Sequence, residues 1–282
     1  MHAFLNGTIL PEEQALISVF DRGFLYGDGL FETMRIANGK PFRWKDHWER
    51  LEKGAALLKI APAFSEAQTC NFAEELIQRN QMPEALLRLT VSRGMGLRGY
   101  SPKGADRPTT VMSMHPAPPI IPGQSPQWRL KTASPRLPAK EILAQYKTCN
   151  KLAQVLARAE ADAAGADEAL LLNTEGFVVE GASSNLFWIE GDRVCTPPLL
   201  SGILAGVTRG VVRELCPGLG LEFGEKEITP TELTSRDGVF LSLSSVGIAE
   251  AVTIDSQTVH RSPHTVTLSH AYWEKLRNET AS

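Results

Sequence analysis

Between positions 115 and 124 the chain carries four prolines, Pro116, Pro118, Pro119 and Pro122. Each proline fixes φ and removes a backbone donor, so this stretch is predicted to run extended and to join no sheet centre. It divides the 282 residues into an N-terminal α/β domain over 1–114, an interdomain linker over 115–124 and a C-terminal α/β domain over 125–282. That length matches one large or two ordinary domains.

On both sides of the break, short apolar runs are punctuated by turn residues. In the first part 31–36 reads as a strand. It is followed by Asn38-Gly39, a pair that accepts the left-handed backbone of a two-residue hairpin. Residues 44–58 form a predicted helix with Trp48, Leu51 and Ala55 on one face, and 72–79 a second helix. Strands are predicted over 86–91 and 109–114, paired antiparallel. In the second part Leu152, Val155, Leu156, Ala159 and Ala163 recur at the spacing of an amphipathic helix. Strands over 169–172 and 177–180 flank Glu175-Gly176, and strands over 186–189 and 194–196 flank Gly191-Asp192. A helix over 208–215, a buried strand over 239–243 and a closing helix containing 273–276 complete the reading. Strands joined by hairpins predict a mixed α/β (α+β) fold with largely antiparallel sheets, not repeated βαβ units.

Composition narrows the function classes. The net charge is −3, without the basic excess of a dedicated nucleic-acid binder. Cys70, Cys149, Cys195 and Cys216 are widely spaced, which suits reduced thiols better than a zinc site or a disulfide framework. The chain shows no basic leader followed by an apolar stretch and no apolar run of about 20 residues. A cytoplasmic protein is expected, with neither nucleic acid nor membrane as a partner. No metal site is expected either. The one close histidine pair, His260 and His264, flanks Pro263, where a regular helical face is disfavoured.

One motif is set aside. Gly94-Met95-Gly96-Leu97-Arg98-Gly99 matches G-x-G-x-x-G, but Tyr100-Ser101-Pro102-Lys103-Gly104 follows it. A dinucleotide site needs a helix opening at the third glycine, and this is loop chemistry. It reads either as a mobile glycine-rich loop or as one that brings Arg98 and Tyr100 to a substrate carboxylate, a group that suits the two-pronged guanidinium.

Four constellations carry potential chemistry. Ser201 to Arg209 contains glycines and runs into a helix beginning at Val207 and Thr208. Its free N–H groups form an anion site, and Thr208 adds a hydroxyl or acts as a plain cap. Glu180-Gly-Ala-Ser-Ser-Asn185 ends a strand with a carboxylate. It is either a solvated turn or a partner for a cationic ring nitrogen. Lys147, in Tyr146-Lys147-Thr148-Cys149-Asn150, is a surface residue when read alone. Read with the other two it completes a pyridoxal phosphate site: an amine, a ring partner and an anion anchor. The fourth constellation is Asp21 to Thr33, with Arg50 downstream in reach of the same phosphate or in a surface salt bridge.

D-R-G-x-x-x-G-D-G-x-F from Asp21, K-T-x-N from Lys147, E-G-x-S-S-N from Glu180 and G-V-T-R from Gly206 together resemble the class IV (fold type IV) pyridoxal phosphate enzymes, in order and in spacing. The resemblance covers about residues 4–252. It implies two α/β domains with the active site between them, a homodimer and pyridoxal 5'-phosphate. It implies Lys147 as the Schiff-base lysine and catalytic base, and Glu180 as partner of the ring nitrogen. Arg50, Val207, Thr208 and Ser244 would bind phosphate, Leu204 would lie under the ring, and Ser183, Ser184 and Asn185 would form the polar shell. The 242–245 segment departs from the family's threonine-rich version. Within the family, Ser92 to Ser101 is similar to the S-R-G-x-G-x-R-G-Y-S loop of the 4-amino-4-deoxychorismate lyases, and Phe31-x-Thr33 fits that subgroup. The resemblance therefore implies elimination of pyruvate to give 4-aminobenzoate. Thr33 would then act in proton transfer, and Phe31, Arg98 and Tyr100 would contact the small amino substrate, the loop reaching the neighbouring subunit's site. The alternative is an aminotransferase for D-amino or branched-chain amino acids. The Arg98 and Tyr100 pair departs from the arginine and histidine of the D-amino acid enzymes.

Overall fold

The computed structural model describes residues 1–121 and 124–281. The chain forms two compact units. The first comprises Met1–Pro118, Tyr146–Asn150 and Leu276–Ser282, and the second Pro119–Gln145 and Lys151–Lys275. Strand β6 (Thr109–Pro116) takes in the start of the proline-rich stretch, with His115 opposite Leu86 and Pro116 opposite Ala85. Proline is tolerated at a strand end, where no further ladder bond is needed. Pro122 lies outside the described residues.

The first unit contains β1 (His2–Leu5), β2 (Thr8–Pro11), α1 (Arg22–Tyr26), β3 (Gly29–Ala37), β4 (Lys40–Pro41), α2 (Trp44–Leu58), α3 (Glu66–Asn80), β5 (Ala85–Ser92) and β6. The strands form one antiparallel sheet in the order β2-β1-β6-β5-β3-β4. Alternation along β3 decides what each residue meets. Leu30, Met34 and Ile36 join Trp48, Leu51 and Ala55 of α2 in the buried core, and Phe31 and Thr33 take the other face. Asn38 and Gly39 make the hairpin turn with φ of 49° and 74°. Helix α3 begins six residues before the predicted start. Ser65 accepts from the Gln68 N–H while the Gln68 side chain accepts from the Ser65 N–H. That capping box was readable as Ser65-x-x-Gln68.

The second unit contains β7 (Gln127–Leu137), α4 (Leu152–Ala163), β8 (Glu168–Asn173), β9 (Val178–Gly181), β10 (Asn185–Glu190), β11 (Arg193–Thr196), α5 (Val207–Gly218), β12 (Glu222–Glu225), α6 (Pro230–Leu233), β13 (Gly238–Leu243), β14 (Gly247–Ile254), β15 (Gln257–Thr258) and α7 (Pro263–Thr280). The sheet order is β12-β11-β10-β13-β14-β7-β8-β9, and Asn185 opposite Glu180 joins β9 back to β10. Six strands therefore close a circuit. The sheet is mixed: β7 runs parallel to both β14 and β8, and β11 parallel to β12. The sequence pattern missed β7 because charged residues and Pro135 interrupt its alternation, and the register shifts between Thr132 and Arg136.

Helix α4 has the predicted bounds but not the predicted buried face. Ala157 and Ala161 pack with Ala133, Ala169 and Leu171, whereas Leu152, Val155 and Leu156 are 71%, 60% and 52% exposed. Small side chains let the helix lie close to β7 and β8, which leaves the large ones outside. The four cysteines are free thiols. Among the described residues no helix is long and apolar enough to cross a membrane.

Candidate active site

In the first unit, residues 147–149 lie along the edge of β3 that β5 does not occupy. The Phe31 N–H donates to the Lys147 carbonyl at 2.9 Å, the Cys149 N–H donates to the Gly29 carbonyl at 2.9 Å, and Leu30 bridges Thr148. Gly27 makes this approach possible. Its φ is +65°, and a Cβ there would stand 2.5 Å from Asn150 Oδ1. Asn150 Nδ2 donates to the Gly27 carbonyl. The glycine-rich and lysine-bearing motifs are thus one local structure. Lys147 is half-buried, with Nζ 4.7 Å from the Phe31 ring centroid. Thr33, half-buried, shares the face of Phe31 by strand alternation.

Arg50 is not in a surface salt bridge. Its Nε and Nη2 donate to the two carboxylate oxygens of Glu32 at 2.8 and 2.5 Å, and Glu32 is 1% exposed. His47, on the same helix, bonds Glu32 through Nδ1 at 2.7 Å. Burial raises the Glu32 pKa, but the Arg50 charge and the His47 bond more than reverse this and hold it at about 2. Burial, with the Arg50 and Lys147 charges, lowers the His47 pKa against the opposing pull of Glu32. An ionised carboxylate can only accept, so the His47 Nδ1–H donates.

The other charges of the Asp21 and Ser92 motifs fix backbone. Asp28 accepts from Arg22 Nε at 2.8 Å and from Arg93 Nε at 2.7 Å. Burial raises its pKa, and bonds to Arg93 and Arg22 bring it below the usual carboxylate value. Arg93 also donates to the carbonyls of Leu58 and Lys59, placing a cation at the C-terminus of α2, where the helix dipole favours it. Arg22 donates to the carbonyls of Gly99, Tyr100 and Ser101, and the Tyr26 hydroxyl accepts from the Gly99 N–H. The glycine-rich loop is therefore pinned, and no helix follows Gly99. Arg98 is exposed. Tyr100 is 88% exposed, its ring edge-on to Tyr26.

In the second unit, Glu180 ends β9 and is 8% exposed. It accepts from the Leu204 N–H at 2.9 Å, and Asn185 donates to the Leu204 carbonyl at 2.9 Å. Both sides of this residue's backbone are held just before α5. Gly206 is the cap residue of α5 and no side chain caps the helix, so the first N–H groups lack intrahelical partners. A Cβ on Gly206 would stand 1.9 Å from Asn185 Oδ1, so only glycine lets Asn185 reach this cradle. Thr208 is buried and Val207 half-buried. Arg209 is turned away, paired with Glu225 at 2.7 Å. Glu180, Asn185 and Ser242 are in register across three strands. The buried Ser242 hydroxyl has no hydrogen-bond partner among the described residues. Ser244 lies half-buried just after β13. An uncapped helix start suits an anion. Ser183 and Ser184 donate their hydroxyls to Glu168 Oε2 at 2.7 and 3.3 Å, which fixes the turn after Glu180.

Sequence reasoning missed Glu168, Ser242 and His47. Glu168 and Ser242 sit in otherwise apolar strands and are ordinary polar letters there.

The family model for class IV amino-transferases matches residues 29–254. The chain is 33% identical to the aminodeoxychorismate lyase of Vibrio harveyi, covering 87% of this chain and 89% of that one. It is 31% identical to the D-alanine aminotransferase of Bacillus licheniformis, covering 100% and 99%. The T.th. branched-chain amino acid aminotransferase, solved with pyridoxamine 5'-phosphate, superposes with a TM-score of 0.92 at 27% identity, covering 98% of this chain and 94% of that one.

Proposed function

The chain belongs to the class IV amino-transferase family, and we propose that it is a pyridoxal 5'-phosphate-dependent 4-amino-4-deoxychorismate lyase. The observation that carries this reading is the Ser92 to Ser101 loop, which Arg22 holds by three carbonyls so that Arg98 and Tyr100 stand exposed at its tip. The Vibrio harveyi relative supports it.

The residues present fit the cofactor. The uncapped start of α5 with Thr208, Val207 and the neighbouring Ser244 would hold its phosphate, with Arg50 adding positive charge from its seat on Glu32. Glu180 would accept from the protonated ring nitrogen, Leu204 would pack under the ring, and Asn185 would fix the cradle. When bound, the cofactor supplies an electron sink for the pair released from a broken C–H bond. Lys147 takes the proton from the substrate carbon that bears the amine. The C–O bond to the enolpyruvyl group then breaks, the ring becomes aromatic as 4-aminobenzoate, and Thr33 relays a proton to the departing enolpyruvyl group, which leaves as pyruvate.

The same reading makes the protein a homodimer in which Arg98 and Tyr100 serve the neighbouring subunit. Exposed apolar side chains support this: Phe20, Phe24 and Leu97 in the first unit, and Leu152, Val155 and Leu156 in the second. Patches of this kind mark association surfaces.

The test uses wild type and Lys147→Ala, each incubated with pyridoxal phosphate. Borohydride should leave the cofactor's mass on the Lys147 peptide of wild type only. Wild type should release pyruvate and 4-aminobenzoate from aminodeoxychorismate without any keto acid. Turnover in the variant should fall by on the order of 10³-fold or more. Transfer of an amino group from D-alanine to 2-oxoglutarate, with no lyase product, would move the assignment to the aminotransferases, as the Bacillus licheniformis relative favours. Full activity in Lys147→Ala would overturn the role of the lysine.

A further inference from the structure

Glu168 opens β8 and is 1% exposed. Its Oε2 accepts from the Ser183 N–H at 3.3 Å, from the Ser183 hydroxyl at 2.7 Å and from the Ser184 hydroxyl at 3.3 Å, and its Oε1 accepts from the Ala169 N–H at 2.9 Å. Among the described residues no cation forms an ion pair with it. The arginines closest in the chain are engaged elsewhere, Arg129 with Asp167 and Arg158 with Asp162.

A carboxylate withdrawn from water is tolerated only for the donors it gathers. Three of the four donors here belong to the turn that joins β9 to β10. A serine hydroxyl carries one proton. Both protons go to Glu168, so neither hydroxyl donates to a bound ligand, and Ser183 and Ser184 act as struts. Backbone pairing alone holds the preceding residue, Glu180, loosely. Strand β9 meets β10 at one residue pair, Glu180 with Asn185, and its register on β8 shifts between Leu171 and Leu172. The turn itself is tight. The Gly181 N–H donates to the Ser184 carbonyl at 2.7 Å, and a Cβ on Gly181 would stand 2.3 Å from Ser184 Oγ and 3.1 Å from Glu168 Cγ.

We propose that Glu168 is a positioning residue for Glu180. Through Ser183 and Ser184 its carboxylate sets the turn that aims Glu180 at the ring nitrogen of the cofactor, and so keeps a proton on that nitrogen. Supporting hydrogen bonds of this kind hold a ligand-facing group to within about 0.5 Å. Leu204 shares the anchor, because its N–H is held by Glu180 and its carbonyl by Asn185. This inference rests on the proposed pairing of Glu180 with the ring nitrogen.

The test loads wild type, Glu168→Leu, Glu168→Gln, Ser183→Ala and Glu180→Gln with pyridoxal phosphate isotopically labelled at its ring nitrogen. The NMR resonance of that nitrogen is followed across pH, with the unfolding midpoint measured beside it. In wild type the resonance should report a protonated ring. In Glu168→Leu the pH at which the ring loses its proton should fall by about one unit, a tenfold weaker hold. Glu168→Gln, which keeps one acceptor oxygen, should fall between. Ser183→Ala removes the shortest strut and leaves Glu168 in place. It should shift the resonance in the same direction, and it serves if Glu168→Leu fails to fold. Variants at Glu168 and Ser183 that lose only stability, with the ring titrating as in wild type while Glu180→Gln moves it, would overturn the role of Glu168. A wild-type ring that is unprotonated, or one that Glu180→Gln leaves unmoved, would overturn the pairing with Glu180 itself.

Discussion

Around Lys147 the first unit is held by charge. Asp28 pins Arg22 and Arg93, Glu32 pins Arg50 and His47, and these partners are almost wholly withdrawn from solvent. Around Glu180 the second unit is held by close approach and by polar bonds to backbone and hydroxyl groups: Leu204 between Glu180 and Asn185, Gly206 against Asn185, and two serine hydroxyls on Glu168. The difference sorts the motif residues by work. In the first unit several of the most conspicuous charges support backbone, and the groups proposed to meet a ligand are Lys147 and Thr33. In the second unit the helix start itself is the proposed binding element, and side chains aim it.

The comparison breaks most visibly at Asp28. Asp28→Asn removes the anion shared by two buried guanidiniums, and removing one partner of a buried pair costs about 3–5 kcal/mol. Denaturant unfolding should show that loss, together with greater protease sensitivity in the 94–101 loop that Arg22 ties down. A variant as stable as wild type would show that the cluster does not hold the first unit together.

Acid sharpens the comparison next. The folded pKa of Glu32, about 2, lies below its ordinary 4.5, so the folded chain binds this proton less readily than the unfolded one. The resulting stability is present above about pH 4.5 and is lost as pH falls from there through 2. It is on the order of 3 kcal/mol. The unfolding midpoint of wild type should drop across that range, and Glu32→Gln should flatten the drop while lowering stability at pH 7. Identical acid profiles would remove Glu32 as a source of the pH dependence.

The smallest effect is expected in the second unit. Thr208→Ala deletes one hydroxyl beside backbone donors that remain, so cofactor affinity should fall about five- to tenfold, near 1 kcal/mol, with little change in unfolding. An unchanged dissociation constant would reduce Thr208 to a packing residue.

The sequence alone determined the elements whose cause is local. The Asn38-Gly39 hairpin, the bounds of α2 and α4 and the short strands around Glu175-Gly176 follow from turn chemistry and periodicity, which neighbouring residues fix. The candidate lysine, ring partner and anion anchor were also legible, because four motifs stand in a recognisable order. Tertiary structure decided what depends on partners distant in the chain. It made β7 a central strand by pairing it with β14 and β8, and it turned the small face of α4 inward because close packing on the sheet leaves no room for leucine. It also sorted the arginines. Arg22, Arg50 and Arg93 found carboxylates, whereas Arg88 lies over the ring of Phe31. A short run of strand letters cannot reveal which arginine meets a carboxylate and which an aromatic ring, since that depends on the cross-strand register and on which side chains the fold brings within reach.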